Sequence, residues 1–262
     1  MNNIAINALG KELKQACAYC LQQNIGLEIT DFAFLNILDS SLDQSIDCIK
    51  THSKGIVPII SHGPFMDLAT SSRDPKIIQV CKERHQTALQ ASCQSGATVY
   101  IAHTNYNPLI FNASYRKGFA ERMREFWLPL ADWAQEKGMV IALENLWESE
   151  PEIQAELIDY IHHPALKASF DNGHALVYSK IPSSKWIQTL GNHMVHCHLH
   201  DNHGETDEHA VIGIGIEDWS SLINAIHQYS PKAIMVVEND WLEKNQQSYE
   251  KLKEYVSFLT NK

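Results

Sequence analysis

Eight times along 262 residues, a short apolar run rich in β-branched residues gives way to a longer amphipathic stretch, and this alternation constrains the fold more than any other feature. The runs Ile4–Asn7, Gly26–Thr30, Ile56–Ser61, Thr98–His103, Val140–Glu144, Ala168–Asp171, Met194–Leu199 and Ala233–Glu238 read as strands. Helices are expected at about 11–23, 39–52, 74–95, 116–137, 152–163, 183–191, 217–228 and 242–260. Gly138 stops the long fourth helix just before Met139-Val-Ile-Ala-Leu143, and Ser149-Glu-Pro-Glu152 gives the next helix a cap and first-turn acids. No charge run, long Pro/Gly linker, internal repeat or low-complexity segment divides the units. The expected architecture is a single (β/α)8 barrel domain over residues 1–262, because an open doubly wound sheet usually has fewer repeats.

A hydrophobic content of 44% is enough to fill such a core. The formal net charge of −10, without a concentrated Lys/Arg stripe, argues against a nucleic-acid or anionic-membrane surface. The N-terminus has no basic segment followed by an apolar run, and no apolar stretch reaches about 18 residues, so a cytoplasmic chain without a membrane partner is expected. The six cysteines are expected to stay reduced, and Cys17-Ala-Tyr-Cys20 lacks the second pair that a zinc site would need.

Polar residues fall at the carboxyl ends of the strands, where barrels place their catalytic groups. His62, His103, Glu144, Asp171, His198 and Glu238 end strands three to eight, and His174, Asp207 and His209 follow closely. The stretch His193–His209 holds six of the fourteen histidines and no lysine or arginine, which suits a divalent ion. Val-Ile-Ala-Leu-Glu144 and Ile-Met-Val-Val-Glu238 each run an apolar strand into a carboxylate, whose burial a cation would compensate. His196, His198 and His200 share one strand face, so periodicity leaves open which of them binds. His52, His85, His162, His163, His193, His203 and His227 read as surface or capping residues.

The set Glu144 in ALEN, Asp171 and His174 in SFDNGHA, His198 in HLHDN, Asp207-x-His209 with Gly213-x-Gly215, and Glu238 in VVEN resembles the xylose isomerase-like TIM-barrel superfamily along nearly the whole chain. That group includes sugar and sugar-phosphate isomerases and epimerases as well as endonuclease IV. In its isomerase branch, the resemblance implies one divalent ion (zinc, manganese, magnesium or cobalt) on Glu144, Asp171, His198 and Glu238. The two glutamates would shuttle a proton between adjacent carbons, and His174 would contact substrate. In the endonuclease IV branch it implies three zinc ions on His62, His103, Glu144, Asp171, His174, His198, Asp207, His209 and Glu238. Glu144 would bridge two ions, and His174, Asp207 and His209 would hold the third.

Departures from the nuclease pattern favour the isomerase expectation. The loop Asp31-Phe-Ala-Phe-Leu-Asn-Ile37 has no arginine-bearing insertion, and from Gly138 to Pro231 the only basic residues are Lys167, Lys180 and Lys185 among many acids, including Glu148 and Glu150. Phe65 and Met66 stand where endonuclease IV places its intercalating pair, although packing under the third loop explains them as well. Sugar isomerase homologues also carry the extra His and Asp positions. Against a ketohexose epimerase, the arginine that some of these enzymes carry about six residues past the strand-seven histidine is Gly204 here. Gly213-Ile-Gly215 reads either as a phosphate-binding loop or as a tight turn, and Trp147 either as a sugar-stacking surface or as a buried rim residue. The expectation is a metal-dependent sugar or sugar-phosphate isomerase or epimerase. A trinuclear zinc phosphodiesterase acting on abasic-site DNA is the alternative, and a metal-stabilised barrel without turnover is the third reading.

Overall fold

The computed structural model describes residues 3–260 apart from 9 and 111. Strands β1 (Ile4–Ala8), β2 (Gly26–Ile29), β3 (Ile59–His62), β4 (Val99–His103), β5 (Val140–Glu144), β6 (Leu166–Asp171), β7 (Met194–Leu199) and β8 (Ile234–Val237) pair in parallel in chain order. β8 closes onto β1 through Ile4↔Met235, Ala5↔Val236 and Ile6↔Val237. The connecting helices are α1 (Leu13–Gln23), α2 (Leu35–Ser40), α3 (Leu42–His52), α4 (Pro75–Gln94), α5 (Ala113–Glu136), α6 (Pro151–Ile161), α7 (Asn172–Tyr178), α8 (Ser183–Leu190), α9 (Trp219–Tyr229) and α10 (Leu242–Thr260). The chain is the (β/α)8 barrel that its alternation implies.

Local chemistry explains where the elements depart from expectation. β3 starts at Ile59 rather than Ile56 because Pro58 has no N–H for the ladder, although its carbonyl still accepts from Leu27. The expected helix 39–52 is split at Ser41, whose φ of −146° is not helical. Helix α7 has no counterpart among the expected elements; it begins directly after β6, with Asp171 as its N-cap.

Strand alternation carries the apolar floor of the barrel up to its polar mouth. Ala5, Ile60, Val99, Ile101, Ala142 and Val236 form a cluster apart from the outer core between strands and helices, and residues of five strands meet in this way only inside the barrel. Two residues further along the same strands, on the same inward face, stand Asn7, His62, His103, Glu144 and Glu238.

His85 corrects the surface reading given to it. It is buried on α4, its Nδ1 lies 2.9 Å from the Tyr100 hydroxyl, and its ring meets Trp127 with centroids 4.8 Å apart. All six cysteines are free; burial pushes the Cys17 thiol up to about 11 and Cys20 up to about 12, so the C-x-x-C of α1 is packing material. No helix among the described residues is long and apolar enough to cross a membrane.

Candidate metal centre

The end of β6 organises the centre. Asp171 Oδ1 accepts the His174 amide at 2.7 Å and so caps α7, which places His174 one turn in and directs Asp171 Oδ2 toward the histidines of β7. Asn145, next to Glu144, clamps this corner. Its side chain exchanges hydrogen bonds of 2.9 and 3.0 Å with the Asp171 backbone, and its carbonyl accepts from His174 Nδ1 at 2.9 Å. His62 likewise donates from Nδ1 to the Gly63 carbonyl at 2.8 Å. With these bonds made, His62 turns Nε2 toward Glu144, while His174 turns Nε2 toward Asp207 and keeps Nδ1 3.5 Å from Glu144. Asp207 and His209 reach the mouth on a loop closed by reciprocal Asp201–Ala210 backbone bonds of 3.0 and 2.9 Å, and Asn239 donates to the His209 and Ala210 carbonyls.

All nine residues singled out from the sequence converge. Glu144 lies 3.0 Å from His198 Nδ1, 3.5 Å from His103 and His174, and 4.0 Å from His62. His198 Nδ1 also lies 3.3 Å from Glu238 and 3.7 Å from Asp171. Asp207 Oδ2 joins His174 at 3.4 Å and His209 at 3.1 Å. Exposure rises toward one side, from 1% for the Glu144 side chain to 14% for Glu238 and 29% for Asp207. This side opens into a cavity of about 270 Å³, and among the described residues its lining contains no lysine or arginine.

The electrostatics are those of an acidic cluster seeking positive charge. Burial opposes ionisation of Glu144, yet the His198 and His103 rings outweigh it and hold the carboxyl at about 2. Burial would lower His198 and His174, but Glu238, Glu28 and Glu144 around the first and Asp171, Asp207 and Glu144 around the second raise both well above the ordinary histidine range. His209 rises to about 9 despite its burial, chiefly through Asp207, whereas burial takes His103 down to about 3. A metal fits this donor set by a separate observation. His198 Nδ1 and Glu144 Oε2 are buried and 3.0 Å apart without the alignment of a hydrogen bond, so both lack a partner among the described residues. Donor atoms of His62, His103 and Glu144, and those of Glu144, Asp171 and His198, lie within 4.8 Å of one another.

Several neighbours take other roles. His196 faces away from the centre onto Glu28, a residue that the sequence reading missed, at 3.0 Å. His200, left open by periodicity, lies 3.3 Å from Asp171 Oδ2 and stacks on His209 with centroids 4.1 Å apart, and it also offers a donor atom within 4.8 Å of those of His209 and Glu238. The Gly213–Gly215 segment is a turn wrapped around Asp201, since the Gly213 amide is spent on that carboxylate at 2.9 Å. Phe65 stacks on His103 at 4.6 Å, Met66 is exposed, and Trp147, 41% exposed, lines a neighbouring groove. The acidic rim is thinner than its composition suggests, because Glu148 is buried and Glu150 and Glu156 pair with Arg116 at 2.6 and 2.8 Å.

Comparison with known proteins places this chain in a family. Among solved structures, a D-tagatose 3-epimerase-like protein superposes with a TM-score of 0.81 at 22% identity, covering 99% of this chain and 98% of that one. A Thermus thermophilus protein soaked with ZnCl2 gives a TM-score of 0.82 at 20% identity over 97% and 98%. The D-psicose 3-epimerase of Clostridium cellulolyticum with D-tagatose gives 0.76 at 16% over 98% of both chains. An uncharacterized protein of Methanocaldococcus jannaschii is 26% identical over 79% of this chain and 72% of its own length. The family model described as xylose isomerase-like TIM barrel matches residues 9–258, and the chain belongs to that family.

Proposed function

We propose that the protein is a divalent-metal-dependent isomerase or epimerase of a small polyhydroxylated sugar, with Glu144, Asp171, His198 and Glu238 holding the catalytic ion. An ion bound there would polarise a carbonyl or hydroxyl oxygen of the sugar. Glu144 and Glu238 come from β5 and β8, well separated around the barrel, and both reach the same His198 nitrogen, so a sugar seated between them meets a carboxylate on each side. One takes the proton from the carbon beside the carbonyl. The other returns a proton, to the opposite face in an epimerase or to the adjacent carbon in an isomerase, where a hydroxyl proton also passes to the former carbonyl oxygen. His174, anchored by the Asn145 carbonyl, holds a sugar hydroxyl. The observation that carries the reading is the lining of the cavity: about 270 Å³ suits a small ligand, and the absence of lysine and arginine among its described residues favours a neutral sugar over a phosphorylated one. The epimerases among the similar structures support the same class of chemistry. Incubation with a panel of aldoses, ketoses and their phosphates in deuterated water should exchange a carbon-bound proton in at least one neutral sugar. Silence across the whole panel overturns the proposal.

One observation favours the phosphodiesterase reading: His62, His103, His174, Asp207 and His209 continue the cluster on both sides of Glu144. It predicts about three zinc ions per chain and metal-dependent incision of an oligonucleotide with one abasic site, lost in His209→Ala. About one manganese, magnesium or cobalt ion and an intact strand retire it. Loss of a specific turnover in Glu144→Gln at intact fold retires the barrel without catalysis.

A further inference from the structure

We infer that Glu28 is a positioning residue of the metal centre: its buried carboxylate sets the tautomer of His198 so that the ring turns its Nδ1 lone pair to the ion, and His196 holds Glu28 in place. The inference rests on the reading of the centre as a metal site. Glu28 is fully buried on β2, where an unpaired carboxylate would be costly. Its two oxygens are divided between two rings, Oε1 lying 2.9 Å from His198 Nε2 and Oε2 3.0 Å from His196 Nε2. A carboxylate only accepts, so each Nε2 carries a hydrogen. His196 Nδ1 then accepts from the Ser169 hydroxyl at 2.8 Å, which ends the chain of bonds without an orphan on that side. On the other side His198 Nδ1 is left 3.0 Å from Glu144 and 3.3 Å from Glu238, with no hydrogen-bond partner among the described residues. A carboxylate behind a ligating imidazole fixes ring orientation and strengthens the donor nitrogen, and losing it typically weakens metal binding about 10- to 100-fold. His196 thus has a place in the centre without touching the ion: its ring meets that of His198 edge-on with centroids 4.7 Å apart, and its Nε2 hydrogen satisfies the far oxygen of Glu28.

The test combines calorimetric titration of the metal-free protein with Zn2+ or Mn2+ and nitrogen-15 NMR of its histidine side chains. Wild type should bind the ion with hydrogen on Nε2 of both His196 and His198 and the metal on His198 Nδ1. Glu28→Gln, which replaces the shared acceptor by an amide that can serve only one ring in this way, should bind at least about tenfold more weakly. An unchanged affinity in Glu28→Gln, or a His198 that carries its hydrogen on Nδ1 in the loaded wild type, overturns the inference while leaving the metal site standing. The wild-type spectrum decides the matter even if the variant does not fold. A wild type that binds neither ion overturns the metal reading as well.

Discussion

At Gly173 the sign of an ordinary substitution should reverse. Gly to Ala inside a helix usually stabilises by about 1 kcal/mol. Here a Cβ would stand 1.9 Å from His200 Cε1 and 2.6 Å from both ring nitrogens, and His200 has no room to retreat because it is fully buried and its backbone is clamped by Asn172. Gly173→Ala should cost about 1–3 kcal/mol in denaturant unfolding and loosen the His200–Asp171 contact. A variant as stable as wild type would show that His200 is not seated this tightly. His85 makes a second prediction at this scale. Burial, assisted by repulsion from His62, lowers it from the ordinary 6.5 to about 3, so the folded protein keeps the ring neutral while the unfolded chain protonates it. Its contribution is complete above about pH 6.5 and is lost as pH falls toward 3, at about 1.4 kcal/mol per pH unit. His85→Gln, which can still bond the Tyr100 hydroxyl, should show a shallower loss of stability over this window, and parallel curves would contradict the assignment.

Among the elements, α7 couples fold to site, since one carboxylate caps the helix and faces the metal cluster. Asp171→Asn preserves a good capping side chain for the His174 amide, whereas Asp171→Ala removes it. Without metal, the Ala variant should be less stable than the Asn variant by about 0.5–2 kcal/mol, while both lose metal affinity. Equal stabilities would mean that the cap contributes nothing. This double use also explains what the sequence concealed. The barrel and the positions of Glu144, Asp171 and Glu238 were legible because each closes an apolar strand, a signal confined to five or six adjacent residues, whereas His198 was set apart from its neighbours only by the family resemblance. A seven-residue helix without an apolar stripe of its own carries no comparable period, so α7 was invisible. Glu28, flanked by Leu27 and Ile29 in a four-residue strand, reads as an outward polar residue of an alternating strand. Only closure of the barrel brings it to His196 and His198, 168 and 170 positions away. The alternation that made the three histidines of β7 equivalent in sequence separates them in space, because each step of two residues climbs one layer of the barrel, from Glu28 through the centre to Asp171 and the closing loop.

At the scale of the whole molecule, some outer carboxylates find arginines, whereas those of the barrel mouth meet histidines. Arg116 ties Glu150 and Glu156 on the rim, and Arg84 pairs with Asp39 among the helices. The barrel mouth collects Glu144, Asp171, Asp207 and Glu238 beside histidines, with no lysine or arginine among the described residues of its lining. Without a metal, protons on His174, His198 and His209 offset those carboxylates, and a divalent ion offers positive charge from one point shared by several donors. Ions that bind the folded barrel and not the unfolded chain stabilise it by mass action, about 2.7 kcal/mol at a free concentration one hundred times Kd. For a barrel of this size that corresponds to a rise in Tm of about 5–10 °C. Scanning calorimetry should therefore show Tm climbing with Zn2+ or Mn2+ and returning on chelation, while Glu144→Gln, lacking the carboxylate common to both donor groups, gives a nearly flat response. A wild-type Tm that stays constant over three decades of either ion would mean that the nine convergent donors balance their charge with protons alone, and that the barrel does not use this centre to hold a metal.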